Sequence, residues 1–402
     1  MKDILIVAHY SGEFDMQDVN RFQHLARLLT EKEYNVELVT SSFSHRSKTK
    51  REPILDSQVS FQATALYEPS YQKNVSLKRL VSHYVLGKNL NSYLEKRKKP
   101  DLIYIAVPSL DVAKTAIRYA KANNIKTVID IQDIWPEAFQ MIIKNKYLGQ
   151  LLFNPIFKQA NYIYKNADGI VAVSDTYKDM ALAIQEKKAS GLTVFLGSDL
   201  KRFDRVSNHP PIIEIPKDTI NLAYVGTLGH SYDLTTVFEA MTLLKSRSPI
   251  EINFIVMGDG PLKQKFETYA KENNLSVTFT GRLPFDQMVA TLTKCDIAIN
   301  SISQGAAQSI INKHSDYASA GLPVLNTQEN QEYRSLVEDY QVGFNCINND
   351  SQDFSEKLLL LIEDQSLREK FGRNHRLLAE KFFDREQTYG KIVQYMNEVY
   401  LA

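Results

Sequence analysis

Short runs of isoleucine and valine, alternating with amphipathic stretches along the whole chain, limit what this sequence can fold into. The first half carries them at Ile4–Ala8, Val36–Thr40, Leu102–Val107, Thr127–Ile131, Gly169–Val173 and Thr193–Leu196. Helical patterns lie between them, at Val19–Thr30, Leu110–Asn123 and Ser174–Lys187. A strand that is apolar throughout must be covered on both faces, and parallel pairing with helical crossovers supplies that cover. The rhythm restarts at Ile220–Gly226 and repeats at Ile252–Gly258, Val277–Gly281, Ile297–Asn300 and Pro323–Asn326. A proline-rich passage from Asn208 to Pro216 precedes the restart. At 402 residues the chain exceeds one ordinary domain. The expected class is α/β, with two doubly wound, Rossmann-like domains of parallel strands, residues 1–203 and 204–384, hinged near 208–216. Asp384–Ala402 reads as a helix with Tyr389, Ile392, Tyr395, Met396 and Val399 on its apolar side, and residues 385–402 are predicted to return to the first domain.

Composition narrows the function. No stretch approaches the roughly 18 apolar residues of a membrane span. The start, Met1-Lys2-Asp3-Ile4-Leu5-Ile6-Val7, lacks the apolar core and cleavage site of a signal peptide. Two cysteines, Cys295 and Cys346, give no disulfide framework and no cysteine metal site. A cytoplasmic protein is expected. The net charge of +1 hides an asymmetry: residues 1–200 hold 27 Lys/Arg and 21 Asp/Glu, a balance of 27 − 21 = +6, and the rest 21 − 26 = −5. The excess gathers in Arg46–Arg51 and Lys96–Lys99. These runs are either solvated loops or a surface for an anion such as lipid headgroups or a diphosphate-linked acceptor. Leu77–Leu94 and Met141–Phe157, apolar and basic together, are either core-facing helices or points of peripheral contact with the inner face of an anionic membrane. Few aromatics interleave the basic runs, which argues against nucleic acid.

In open α/β sheets, ligands bind beyond the carboxyl ends of strands, and with two such domains a cleft between them is the expected site. Tyr224-Val225-Gly226-Thr227-Leu228-Gly229 ends a strand in small residues that let the backbone approach an anion; otherwise it is a plain turn. Gly258-Asp259-Gly260-Pro261 repeats the pattern, and there Gly260 reads as a tight strand-to-helix connection. The segment Gln308-Ser309-Ile310-Ile311-Asn312-Lys313-His314-Ser315-Asp316 opens a helix whose free amides and dipole suit a diphosphate. Lys313 adds a charge there, and Asp316, three residues on, suits two ribose hydroxyls. Alternatively, Lys313 and Asp316 are a surface ion pair. Ile129–Glu137 brings Asp130, Asp133 and the single Trp135 to a strand end; Asp133 either orients an acceptor hydroxyl or caps the helix near Pro136. His9-Tyr10-Ser11-Gly12 closes the first strand and is expected to face the same cleft, with His9, Ser11 and Gly12 as acceptor-side candidates; His9 either contacts acceptor or donor or is a structural histidine at a strand end. The eight histidines show no zinc-ligand spacing.

Taken together the motifs resemble family 4 of retaining glycosyltransferases, which have the GT-B fold. The resemblance rests on Gly197-Ser198-Asp199 with Arg202-Phe203, Val225–Gly229, Gly258–Pro261, Phe279-Thr280-Gly281-Arg282-Leu283, and Lys313 through Val324, in the family's order. Asp130–Pro136 with the Lys313–Asp316 helix resembles bacterial capsule and O-antigen transferases of N-acetylated amino or deoxyamino sugars. The resemblance implies a nucleotide-sugar donor, uridine or guanosine linked, held by Gly226, Thr227, Gly258, Arg282, Leu283, Gln308, Ser309, Ile310, Ile311, Lys313 and Asp316. It implies a glycan or polyprenyl-diphosphate-linked acceptor, catalytic roles for Asp133 and Lys313, and neither cofactor nor metal. Gln308 stands where the family has an acid, and Thr227 where it often has Arg. Two rivals remain, a sugar-nucleotide 2-epimerase of the same fold and a sugar-nucleotide binder without chemistry.

Overall fold

The computed structural model describes residues 2–14, 20–54, 59–73, 76–135, 146–185, 190–245, 247, 249–306 and 309–402, with side chains of 146–153 left aside. The chain divides into two compact units, residues 1–195 with 387–402, and residues 196–386.

In the first unit the strands are β1 (Asp3–Val7), β2 (Asn35–Ser41), β3 (Phe43–Ser44), β4 (Thr49–Lys50), β5 (Gln62–Leu66), β6 (Leu102–Val107), β7 (Lys126–Ile131), β8 (Gly169–Ala172) and β9 (Gly191–Thr193). All but the β3–β4 hairpin form one parallel sheet, ordered β5-β2-β1-β6-β7-β8-β9. Ile4 lies opposite Val36 on one side and Leu102 on the other. The helix Arg21–Glu31 begins where the Asn20 side chain accepts the amides of Phe22 and Gln23, and it lays Phe22, Leu25 and Leu29 on the sheet. The last helix, Arg385–Leu401, buries Tyr389, Ile392, Tyr395, Met396 and Val399 in that same core.

Arg21 fastens these parts together. Its Nε donates to Asp130 Oδ2 at 2.6 Å, and Nη1 donates to the carbonyls of Val194 and Phe195 and to the Tyr389 hydroxyl. Burial disfavours the guanidinium charge, but the Asp130 carboxylate outweighs burial and holds the Arg21 pKa above its usual value. Tyr104 donates to the same Asp130 oxygen at 2.6 Å. Of the two acids at the end of β7, Asp130 is therefore structural.

In the second unit the strands are β10 (Ile220–Val225), β11 (Ile252–Met257), β12 (Ser276–Phe279), β13 (Ile297–Asn300), β14 (Val324–Asn326) and β15 (Gly343–Asn345), again all parallel, ordered β12-β11-β10-β13-β14-β15. The architecture is the α/β, GT-B type of two parallel-sheet units.

Three expectations need correction. The division falls at Phe195, not at residue 203, because the Leu200–Ser207 helix packs on the Phe285–Leu292 helix: the Phe203 and Phe285 rings are 6.5 Å apart and Arg202 pairs with Asp286 at 2.9 Å. The proline-rich passage therefore lies inside the second unit and is no hinge between units. The strand expected at Thr193–Leu196 is β9, which ends at Thr193. Among the described residues, no helix is long and apolar enough to cross a membrane. Residues 141–145, part of the second stretch considered for membrane contact, lie outside the described residues.

Removing Arg21 would leave the Asp130 charge buried without its partner. Arg21→Ala should lower stability by about 3–5 kcal/mol, the usual consequence of halving a buried pair. An unchanged urea midpoint for this variant would show that the pair does not hold the first unit together.

Candidate functional site

A doubly wound sheet leaves a crevice where the strand order reverses, and in the second unit that point lies between β10 and β13. The loops after these strands close on each other: Ser303 N donates to Ser231 O at 3.0 Å and Ser303 Oγ to His230 O at 2.9 Å. The loop after β11 locks in beside them through Leu228 N to Asp259 O, 2.9 Å. This approach demands glycine, since a Cβ at Gly258 would stand 1.8 Å from the Gly226 carbonyl oxygen and one at Gly260 would stand 2.4 Å from that of Leu228. Gly226 itself has φ of +147° and faces Lys313, whose Nζ would be 3.2 Å from any Cβ added there.

Lys313 enters from the Asn312–Ser319 helix. That helix is anchored by Tyr317, whose hydroxyl donates to Ile299 O and accepts from Val225 N, each at 2.9 Å. The lysine is 5% exposed, and its Nζ has no hydrogen-bond partner among the described residues. It sits between two aromatic faces, 4.2 Å from the Tyr224 ring centre and 4.1 Å from that of Tyr232. Burial pushes its pKa down to about 7. One turn before it, the Ser309 hydroxyl is also buried without a partner. A buried amine without a partner, with an unsatisfied hydroxyl four residues before it, is the pattern a polar ligand would complete.

The remaining donor-side residues are less closely gathered. Ile310 is buried, and Ile311 N is engaged by His314 Nδ1 at 3.2 Å. Asp316 is half-buried and accepts from Ser198 Oγ at 3.3 Å, so it forms no surface ion pair with Lys313. Thr227 is exposed, and its carbonyl accepts from the Tyr224 hydroxyl at 2.8 Å. Arg282 is exposed and Leu283 half-buried after β12, two strands along the sheet from β10. Gln308 lies outside the described residues.

The first unit has its own reversal point between β1 and β6, and His9 and Ser109 meet there. His9 Nδ1 is 2.8 Å from Ser109 Oγ, and Nε2 is 2.8 Å from Glu68 Oε2. Burial pushes the Glu68 pKa up, but bonds from His9, Ser41 and Ser82 outweigh it and hold the carboxyl below its usual range. His83 packs edge-on to His9, bonds Tyr10 at 3.1 Å, and stacks on Trp135 at 5.8 Å. Potential ligand atoms of His9, Glu68 and His83 lie within 4.8 Å of one another, a grouping that separations of 59 and 15 residues (68 − 9, 83 − 68) conceal in the sequence. Ser109 and Tyr10 already occupy these rings, and Arg79 Nε stands 3.4 Å from His83 Nε2. Ser11 is fully buried, and its hydroxyl is bonded to that of Thr40 at 2.8 Å. Gly12, at φ +73°, gives its carbonyl to Arg51. Asp133 is half-buried after β7; the helix it was expected to cap lies outside the described residues.

Comparison with known proteins bears on the second unit most. Residues 206–378 match the model of glycosyl transferases group 1. An uncharacterized glycosyltransferase of Methanocaldococcus jannaschii is 28% identical over 160 residues, 39% of this chain and 43% of its own length. A second from that organism is covered over 59%, so the chain spans less than two thirds of either. WcaI of Escherichia coli K12, whose name provisionally assigns it to glycosyl transfer in colanic acid biosynthesis, is 24% identical over 347 residues, 83% of this chain and 82% of WcaI. Among solved structures, Anabaena HepE in complex with UDP superposes with a TM-score of 0.70 at 15% identity, covering 99% of this chain and all of HepE. The family model and these relatives are described as glycosyltransferases, and the likeness to HepE is one of fold.

The interlocked glycine loops give a direct check. Gly258→Ala should force the β10 and β11 loops apart, costing about 1–3 kcal/mol as overpacking does, and should abolish any stabilisation by added pyrophosphate. A melting temperature and a pyrophosphate response both equal to the parent's would mean the loops do not need this contact.

Proposed function

We propose that the chain is a retaining glycosyltransferase that moves a sugar from a nucleotide diphosphate, UDP by preference, to a lipid-linked or glycan acceptor of cell-surface polysaccharide synthesis. The observation that carries the reading is Lys313, a buried ammonium with no anion beside it, set against a backbone glycine at a strand-order reversal. As the sugar–phosphate bond breaks, charge develops on the leaving diphosphate, and a fixed cation in a dry site stabilises that charge most. Lys313 and Ser309 would meet the diphosphate, and Asp316 would hold the ribose. Asp133 would orient the acceptor hydroxyl, with His9 close to the same strand ends. Attack from the face that the diphosphate leaves, with a leaving phosphate oxygen taking the proton, would retain the anomeric configuration. The charge supplied by Lys313 supports chemistry without a metal. The UDP in the HepE structure supports the uridine donor, and WcaI's name, which places it in colanic acid biosynthesis, supports a polysaccharide product. The sugar would be an N-acetylated amino or deoxyamino hexose, a reading that rests only on the motif resemblance of Asp130–Pro136 and the Lys313–Asp316 helix. Residues 1–195 would receive the acceptor and 196–386 the donor.

Lys313→Ala should lower turnover about a hundredfold, the scale for one electrostatic donor, and near-normal turnover would remove Lys313 from the mechanism. Incubation of UDP-sugars with and without acceptor separates transfer from epimerisation, which needs none. A pH series tests the charge. Lys313 binds its proton below its pKa of about 7 and loses it above. UDP affinity should therefore be full near pH 6 and fall about tenfold or more by pH 8.5, as the binding-competent fraction shrinks. Lys313→Met should bind weakly with no such slope, and a slope kept in that variant would assign the titration elsewhere.

A further inference from the structure

We propose that His314 is a positioning residue for the donor seat: through the Ile311 amide it sets the Ser309–Ile311 segment so that the Ser309 hydroxyl and the Lys313 ammonium meet one diphosphate. This rests on the donor reading above and says what holds that seat in shape. His314 is the third residue of the Asn312–Ser319 helix, and its Nδ1 accepts the amide of Ile311, the residue ahead of the helix, at 3.2 Å. A side chain at this place reaches back in the same way in the capping box, where it is usually Glu or Gln. Isoleucine has no side-chain acceptor to offer in exchange, so the bond from His314 stands alone. Gln328 holds the other end of the segment. Its Nε2 donates to Ser309 O at 2.9 Å, and its Oε1 accepts from Asn300, at the end of β13, at 3.1 Å. The backbone is thus tied at Ser309 O and Ile311 N, while Ser309 Oγ and Lys313 Nζ have no hydrogen-bond partner among the described residues. A segment with its backbone engaged and its polar side chains open is arranged for a ligand before the ligand arrives.

The residue type matters as much as the bond. Imidazole accepts at Nδ1 only when that nitrogen carries no proton, so the ring is neutral with its proton on Nε2. Burial first, and then the charge of Lys313 beside it, hold its pKa well below the usual histidine value, and the acceptor persists through the neutral range. The ring is fully buried and stacks on Tyr333 of the Gln331–Asp339 helix, centroids 3.6 Å and planes 8° apart, which fixes its orientation. Glutamate would accept the same amide, but its carboxylate would give Lys313 a counter-ion and repel an arriving diphosphate. Histidine caps the segment and leaves the charge of the seat intact.

Melting temperature and stabilisation by UDP and by pyrophosphate, measured on the full chain, test this. His314→Gln keeps a neutral acceptor and loses the stack on Tyr333. It should melt below the parent yet keep its UDP affinity within about twofold, less than one net hydrogen bond is worth. His314→Phe keeps the stack and loses the acceptor, and its UDP affinity should fall about tenfold, the upper value for one such bond. His314→Glu keeps the acceptor and adds charge, and it should respond to pyrophosphate more weakly than the Gln variant does. A side chain that only filled space would give affinities that follow melting temperature; positioning gives Gln the higher affinity and the lost stack. Equal UDP affinity in the Gln and Phe variants, or a higher one in Phe, would overturn the proposal and leave the donor reading standing. So would a Glu variant that responds to pyrophosphate as the Gln variant does. A parent that responds to neither ligand sinks the donor reading, and this one with it.

Discussion

A buried ammonium with no counter-ion is the constraint around which the second unit is organised. Removing such a charge from water is expensive, and the usual remedy is a carboxylate. Among the described residues none is bonded to Lys313. Two tyrosine faces hold it instead, at distances where the ring quadrupole attracts a cation. Gly226 leaves room in front of it, and Gly258 lets Gly226 be where it is. The helix that carries the lysine is fixed in turn by Tyr317, bonded to β10 and β13 at once. Each part is explicable as support for one cation held at the mouth of a parallel sheet.

The first unit uses the same topology to a different end. Its reversal point holds a carboxylate, Glu68, that is fully engaged by an imidazole and two hydroxyls. Its buried cation, Arg21, is neutralised by Asp130 and bridges β7, β9's trailing residues and the C-terminal helix. The first unit thus pairs these buried charges with opposite ones, although Arg21 Nη2 and Asp130 Oδ1 keep no hydrogen-bond partner among the described residues. In the second unit Lys313 has no paired carboxylate among the described residues, and this contrast marks where an anionic ligand belongs.

Much of this was legible in the sequence because central parallel strands are rich in apolar residues and buried along nearly their whole length, as β1, β6, β7, β10 and β11 are. Edge strands were not: β5 (Gln62–Leu66) has no fully buried residue, and β15 has three residues, one of them glycine. Missing β5 concealed Glu68, which stands at its carboxyl end, and with it the partners of His9 and His83. Lys313 was legible from its motif, but its isolation was not, since Tyr232 and Ser309 are brought to it only by loop geometry. The boundary near residue 203 failed because proline content marks irregular chain, and irregular chain need not be a hinge.

The choice of lysine at 313 resolves the apparent cost of the empty seat. Arginine there would keep its proton under all conditions and would stand as an uncompensated buried charge whenever no ligand was bound. Lysine can release its proton, and burial has already brought its pKa to about 7, so the empty site can rest neutral. An arriving diphosphate restores the charge by attracting the proton back, and a neutral ligand has no means of doing so. Protonation and anion binding are then one coupled event, and the seat discriminates for charge before any contact with sugar or base is made.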